Sequence, residues 1–172
     1  MLLAERYARS FCKEYRKHRW PKPKKGEYYS DSEWTVQMYK ILDKTAKNLG
    51  LKRKRRELRR IDLTYYKGEE DTPTVIVEHE NEYKGIWKEE IPKLLSSKAR
   101  LKVLICYPPK KEYWEIAKKF TKKLNDEMKI RNSFEEYLLI MGKREEIVTN
   151  DPEGFVIYIY TPGFTVKRFR KY

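Results

Sequence analysis

Seven consecutive residues, Leu101-Lys102-Val103-Leu104-Ile105-Cys106-Tyr107, carry a single charge among them. A run this short and this rich in aliphatic side chains reads as a strand rather than a helix. Apolar residues at odd and even positions alike mean that both faces of the strand are covered. The chain must then build a sheet with helices above and below it, which places it in the α/β class.

The rest of the chain supplies those parts. Leu3, Tyr7, Phe11 and Tyr15 recur every four residues and predict an amphipathic helix over 2–19 with strongly basic outer faces. Trp20-Pro21-Lys22-Pro23-Lys24-Lys25-Gly26 breaks that helix and reads as a basic linker. Ser30 and Glu33 stand at capping-box spacing ahead of Trp34, Met38, Ile41, Thr45 and Leu49, the apolar face of a second helix that Gly50 stops. Segments 61–65 and 74–80 predict an antiparallel hairpin around a turn at 67–71. A helix over 87–99, opened or kinked by Pro92, leads to the 101–107 strand, and the connection is long enough for a parallel crossover. A helix over 111–128 follows, with Tyr113, Ile116, Phe120 and Leu124 on one side. Strands at 137–141 and 155–160 and a turn at Thr161-Pro162-Gly163 complete the order, with room for one more strand within 52–60. The expected organisation is a basic N-terminal helix and linker over 1–29 and an α/β domain over 30–172.

Charge narrows the partners. The formal net charge is +14, and such a field favours polyanions such as DNA, RNA or an acidic membrane surface. The cations cluster. Residues 13–25 hold seven positive charges and one negative, and residues 52–60 repeat that balance. Lys22, Lys24, Lys25, Arg53, Lys54, Arg55, Arg56, Arg59 and Arg60 are the candidate phosphate contacts, because clustered cations gain most from counterion release. A solvated charged face is the alternative. Trp20, Tyr28, Tyr29, Tyr65 and Tyr66 lie close by and are candidates to stack on bases, whereas Trp34, Trp114 and Phe120 read as core. Cys12 and Cys106 give no disulfide framework and no cysteine zinc site. Glu5 and Arg6 interrupt any signal-like apolar stretch, and no run is long enough to span a bilayer, so a cytoplasmic protein with no membrane association is expected. Abundant Lys, Arg, Glu and Tyr beside a lone glutamine, Gln37, points to a thermophile.

The hairpin holds the chemistry. Residues two apart on a strand share a face, so Glu78 and Glu80 point one way and Val75, Val77 and His79 the other. On the preceding segment Asp62 shares a side with Arg60 and Thr64, while Ile61, Leu63 and Tyr65 take the core side. Two readings of these carboxylates stand. They pair with neighbouring Lys or Arg, or they surround a hard divalent cation such as Mg²⁺ or Mn²⁺. His79 faces away from the acids and His18 lies in a basic helix, which argues against histidine-based metal or nucleophile chemistry.

From Glu33 to Tyr107 the chain resembles the restriction-endonuclease-like superfamily, the PD-(D/E)XK nucleases. Ile61-Asp62 stands where that family has Pro-Asp, and Glu78-His79-Glu80 stands where it has Glu-x-Lys. Glu33 matches the acidic residue that many members carry on the first core helix. Lys93-Leu94-Leu95 through Tyr107 resembles the crossover helix and the strand after it. The general layout is shared with archaeal Holliday-junction resolvases and Mrr-like enzymes, and Glu80 makes this a Glu-x-Glu variant.

The resemblance implies a restriction-endonuclease-like core, a mixed central sheet flanked by helices, and a Mg²⁺- or Mn²⁺-dependent endonuclease acting on DNA. It implies that Asp62 and Glu78 bind the metal, with the backbone carbonyl of His79 as a further ligand. Glu80 would hold a second ion or orient water, and Glu33 would complete the acidic cluster. Lys88 or Lys93 would stabilise developing charge. Dimeric members of the family make a homodimer compatible with it. Two rivals remain: a nucleic-acid-binding protein that keeps the fold without cleavage, and a membrane-surface or partner-binding protein acting through the basic helix 2–19.

Overall fold

The computed structural model describes residues 1–21, 30–54, 60–128, 134–142, 155–161 and 167–169, with backbone alone for Met128 and for the last segment. Its strands form one mixed sheet in chain order: β1 Lys52–Arg53, β2 Leu63–Tyr66, β3 Val75–Glu80, β4 Leu101–Cys106, β5 Glu136–Gly142, β6 Phe155–Tyr160 and β7 Lys167–Phe169. The first three strands are antiparallel, β3, β4 and β5 run parallel, and β6 and β7 return antiparallel. The helices are α1 Leu3–Lys17, α2 Asp31–Asn48, α3 Glu90–Ser96 and α4 Tyr113–Met128. Each parallel step carries its helix, α3 between β3 and β4 and α4 between β4 and β5, as a crossover requires.

Side-chain alternation sorts the strands onto two cores. Leu63, Tyr65, Val75, Val77, Leu101, Val103, Ile105, Leu138 and Ile140 pack against α1 and α2. Ile76, Leu104, Cys106, Leu139 and Met141 pack against α3 and α4. The central strand β4 is buried at every position, as its composition demands. Pro92 falls in the first turn of the short α3, where its missing N–H costs nothing. The capping box forms at α2: the Glu33 N–H donates to Ser30 Oγ at 3.3 Å, and the Ser30 N–H donates to the Glu33 carboxylate at 2.9 Å. At its other end Gly50 adopts φ +74°. The N–H groups of Gly50 and Leu51 then satisfy the carbonyls of Lys47 and Ala46, a closure that favours glycine.

Several expectations change. The helix over 2–19 is not a separate basic arm. Tyr7, Phe11 and Tyr15 are wholly buried in the core shared with α2 and the sheet. The buried Glu136 carboxylate on β5 accepts the Leu3 and Ala4 N–H groups at 3.3 and 2.7 Å, a carboxylate where the helix dipole favours one. With that apolar face in the core, α1 cannot insert into a membrane surface. No described helix is long and apolar enough to cross a membrane. Tyr65 and Tyr66 are buried, and Trp20 is stacked on Trp34 with ring centroids 4.6 Å apart, so none of the three is free for a base. Trp114, expected in the core, is 66% exposed. β2 is buried along its whole length rather than on one face. Pro162 and Gly163 of the expected turn lie outside the described residues, as do Tyr28 and Tyr29.

Candidate metal centre

β3 carries Glu78 into the interior, where no aliphatic neighbour can solvate a charge. The residue is 1% exposed, and its Oε1 has no hydrogen-bond partner. Among the described residues the cation that meets it is Lys93 Nζ of α3 at 3.7 Å, and the same ammonium lies 3.1 Å from Glu90. Burial, and then the negative charge of Asp62, push the Glu78 carboxyl up to about 8, against the opposing pull of Lys93. Partial burial works against the Lys93 ammonium, but its hydrogen bond to Glu90 and the charges of Glu78, Glu90 and Asp62 outweigh that and raise its pKa.

Asp62 reaches this group by a break in regular structure. Arg60 holds φ +60°, a conformation that costs a non-glycine residue roughly 1–3 kcal/mol. Ile61 consequently turns into the α3–α4 core while Leu63 enters the α1–α2 core, although strict alternation would put them on one face. Asp62 sits between them at the exposed mouth of β2, and its Oδ2 accepts the His79 N–H at 2.8 Å. The Tyr39 phenol of α2 is half-buried, and its pKa rises through burial first and through the charge and hydrogen bond of Asp62 next.

The expected residues divide. Asp62, Glu78 and Lys93 come together. Glu80 shares the face of Glu78, but its carboxylate accepts the Glu82 N–H at 2.8 Å, and burial raises its pKa. Glu33 is exposed and engaged in the capping box. Lys88 is exposed in the turn between Trp87 and α3. The His79 ring faces the α1–α2 side, with Nε2 2.8 Å from the Tyr107 hydroxyl, so only its backbone is directed to the acids. Among the cations, Arg53 pairs with Asp43 at 3.3 Å and Lys54 with Glu69 at 3.5 Å, while Arg60 is exposed. Lys22, Lys24, Lys25, Arg55, Arg56 and Arg59 lie outside the described residues. Glu90 and Tyr39 were not singled out from sequence. Glu90 had a legible signal, three residues before Lys93 on one helix face. Tyr39 had none, because its helix position says nothing of the strand mouth beneath it.

Among the described residues no three His, Cys, Asp or Glu side chains gather closely enough to hold a metal unaided. The pair Asp62 and Glu78 nevertheless fits a hard divalent cation. A buried carboxylate oxygen without a hydrogen bond is costly unless a proton or cation meets it, and a carbonyl or waters complete such shells. No protein-family model, curated protein or solved structure matches the chain.

Proposed function

We propose that this protein is a metal-dependent endonuclease that hydrolyses phosphodiester bonds in DNA on a restriction-endonuclease-like core. The observation that carries the reading is the juxtaposition of Asp62, buried Glu78 and Lys93. The run α2–β1–β2–β3–α3–β4, with its strands adjacent in that order, supports the resemblance read from the sequence. In this reading Asp62 and Glu78 hold Mg²⁺ or Mn²⁺, with the His79 carbonyl as a further ligand. The bound ion would lower the pKa of a water and polarise the scissile phosphate. Lys93 sets its ammonium beside the same carboxylates and stabilises charge that develops on the phosphate. Glu90 holds Lys93 in place. The test is cleavage of duplex, junction, flap and single-stranded substrates with and without Mg²⁺. Metal-dependent cutting that Asp62→Ala and Glu78→Ala each abolish supports the reading, and a metal-loaded wild type that cuts none of them overturns it.

One observation favours a second reading, a nucleic-acid-binding protein without cleavage. Glu80, at the position of the family's lysine, spends its carboxylate on the Glu82 N–H rather than on the Asp62–Glu78 pair.

A further inference from the structure

Beyond the acidic site, the α3–α4 side of the sheet holds a second feature. An open cleft of about 430 Å³ lies between α4 and β6, with Trp114, Lys118, Lys122, Asn125, Asp126 and Tyr158 in its walls. Residues 114, 118 and 122 repeat every four positions, so they form one stripe with a rise of about 6 Å per step. The core residues Ile116, Phe120 and Leu124 occupy the opposite side of the helix.

The contents of the stripe are unusual for a surface with only a structural duty. Trp114 is 66% exposed, although an indole left in water forgoes a large burial gain. Its neighbours on α4 are committed: Lys119 lies over the Trp87 ring at 4.2 Å, and Lys123 pairs with Glu127 at 3.5 Å. Lys118 and Lys122 have no ion-pair partner among the described residues, Asp126 included. Asn125 Oδ1 is buried at the cleft wall without a hydrogen-bond donor. An exposed aromatic plane, two ammonium groups in line with it that pair with no described acid, and an amide acceptor at the cleft wall make a coherent set. An unstacked base offers a flat face and N–H donors, a ring imide N–H in thymine and exocyclic amines in the other bases, and its backbone offers the negative charge.

We propose that the α4–β6 cleft binds single-stranded nucleic acid, with a base against Trp114 and the adjoining phosphates on Lys118 and Lys122. The stacking is tolerant of sequence, because every base presents a π-face. Duplex DNA keeps its bases paired and gains only the two lysine contacts. The N-terminal end of α4, which carries Trp114, stands at the carboxyl ends of the parallel strands β3 and β4, the end that also bears Glu78 and Glu80. Trp114 therefore lies at the same end of the sheet as the acidic pair, with β4 and β5 between β6 and β3.

The test is equilibrium binding of an oligo-dT and of a duplex of equal length to the full chain in EDTA. Without metal nothing is cut, so the outcome is separate from that of the nuclease reading. Trp114→Ala should weaken oligo-dT binding about tenfold and duplex binding little, while Trp114→Phe keeps most of the affinity. Lys118→Ala with Lys122→Ala should lower the log–log salt slope for oligo-dT by about 1.4, two phosphates at roughly 0.7 each. Thermal melting of each variant checks the fold, which an exposed residue should leave intact. Unchanged oligo-dT affinity in Trp114→Ala, or equal weakening on both probes, would overturn the proposal.

Discussion

Lys93 Nζ lies 3.7 Å from Oε1 of Glu78, a buried carboxylate oxygen with no hydrogen bond of its own. The ammonium offsets part of the cost of the buried charge, but not all of it: the Glu78 carboxyl still sits near 8. A group held so far above the ordinary carboxylate range makes the protein's stability depend on pH, and would do the same for the affinity of the divalent ion proposed at Glu78.

The stability prediction has a definite sign. The folded state keeps a proton on Glu78 that the unfolded chain has lost, so stability falls as pH rises from the ordinary glutamate range towards 8. The slope contributed by this one group is at most about 1.4 kcal/mol per pH unit. Glu78→Gln should remove that slope and leave the metal-free protein more stable than the wild type above pH 8. Urea denaturation between pH 5 and 9 measures both, and parallel curves for the two proteins would dismiss the buried charge.

Metal binding should run the other way. A divalent ion competes with the proton on Glu78, so its affinity rises with pH up to the carboxyl's pKa and then levels. Calorimetric titration with Mn²⁺ should show up to tenfold tighter binding per pH unit between 6 and 8 and little change above. A flat profile across pH 6–8 would mean that Glu78 is not a ligand.

Much of the architecture was legible because burial leaves period-two and period-four patterns in aliphatic residues. The sheet faces and the crossover helices follow from such patterns, and the α2 capping box follows from the spacing of Ser30 and Glu33. The helix 2–19 was legible as a helix but not as core, since its basic outer faces concealed how completely Tyr7, Phe11 and Tyr15 are enclosed. The site was legible as letters, Asp62 and Glu78, and less so as geometry. Strand alternation predicts that Glu80 shares a face with Glu78 but cannot tell that the Glu82 N–H claims its carboxylate. Nor could alternation foresee the left-handed turn at Arg60, which sends Ile61 to the opposite core and leaves Asp62 at the strand mouth.

Removing the ammonium tests whether Lys93 belongs to the site. Lys93→Ala should slow metal-dependent cleavage about 100-fold, the usual cost of removing one charge-stabilising donor. It should also move the pH midpoint of Mn²⁺ binding upward, because Lys93 holds the Glu78 carboxyl down. Lys93→Arg should restore the midpoint. A slower enzyme with an unmoved midpoint would assign Lys93 a purely structural part in α3.

The basic run 52–60 should act by holding phosphates rather than through chemistry. Replacing Arg55, Arg56 and Arg59 together with alanine should flatten the salt dependence of duplex binding by about 0.9 in slope for each phosphate that is no longer neutralised. An unchanged slope would leave DNA binding to other cations, such as those of 13–25.

The last prediction concerns Glu80, where the family pattern has lysine. Glu80→Lys should bind DNA at least as tightly as the wild type and cleave it poorly. Motif letters alone would forecast preserved or improved activity. Charge says otherwise. The substitution adds two units of positive charge beside Asp62 and Glu90, the carboxylates whose field the Glu80 carboxyl already feels. Lys93 occupies the cationic place next to Glu78, so a second ammonium would repel the divalent ion while attracting the phosphate backbone. It would also remove the acceptor that holds the Glu82 N–H, loosening the turn after β3. Affinity and Mg²⁺-dependent cleavage rate measured side by side for wild type, Glu80→Gln and Glu80→Lys separate the effects. Gln removes the charge yet keeps the acceptor, so it should fall between the other two. Faster cleavage by the lysine protein would overturn the assignment of the cationic role to Lys93 and would mark the natural Glu80 as the change that silenced a nuclease.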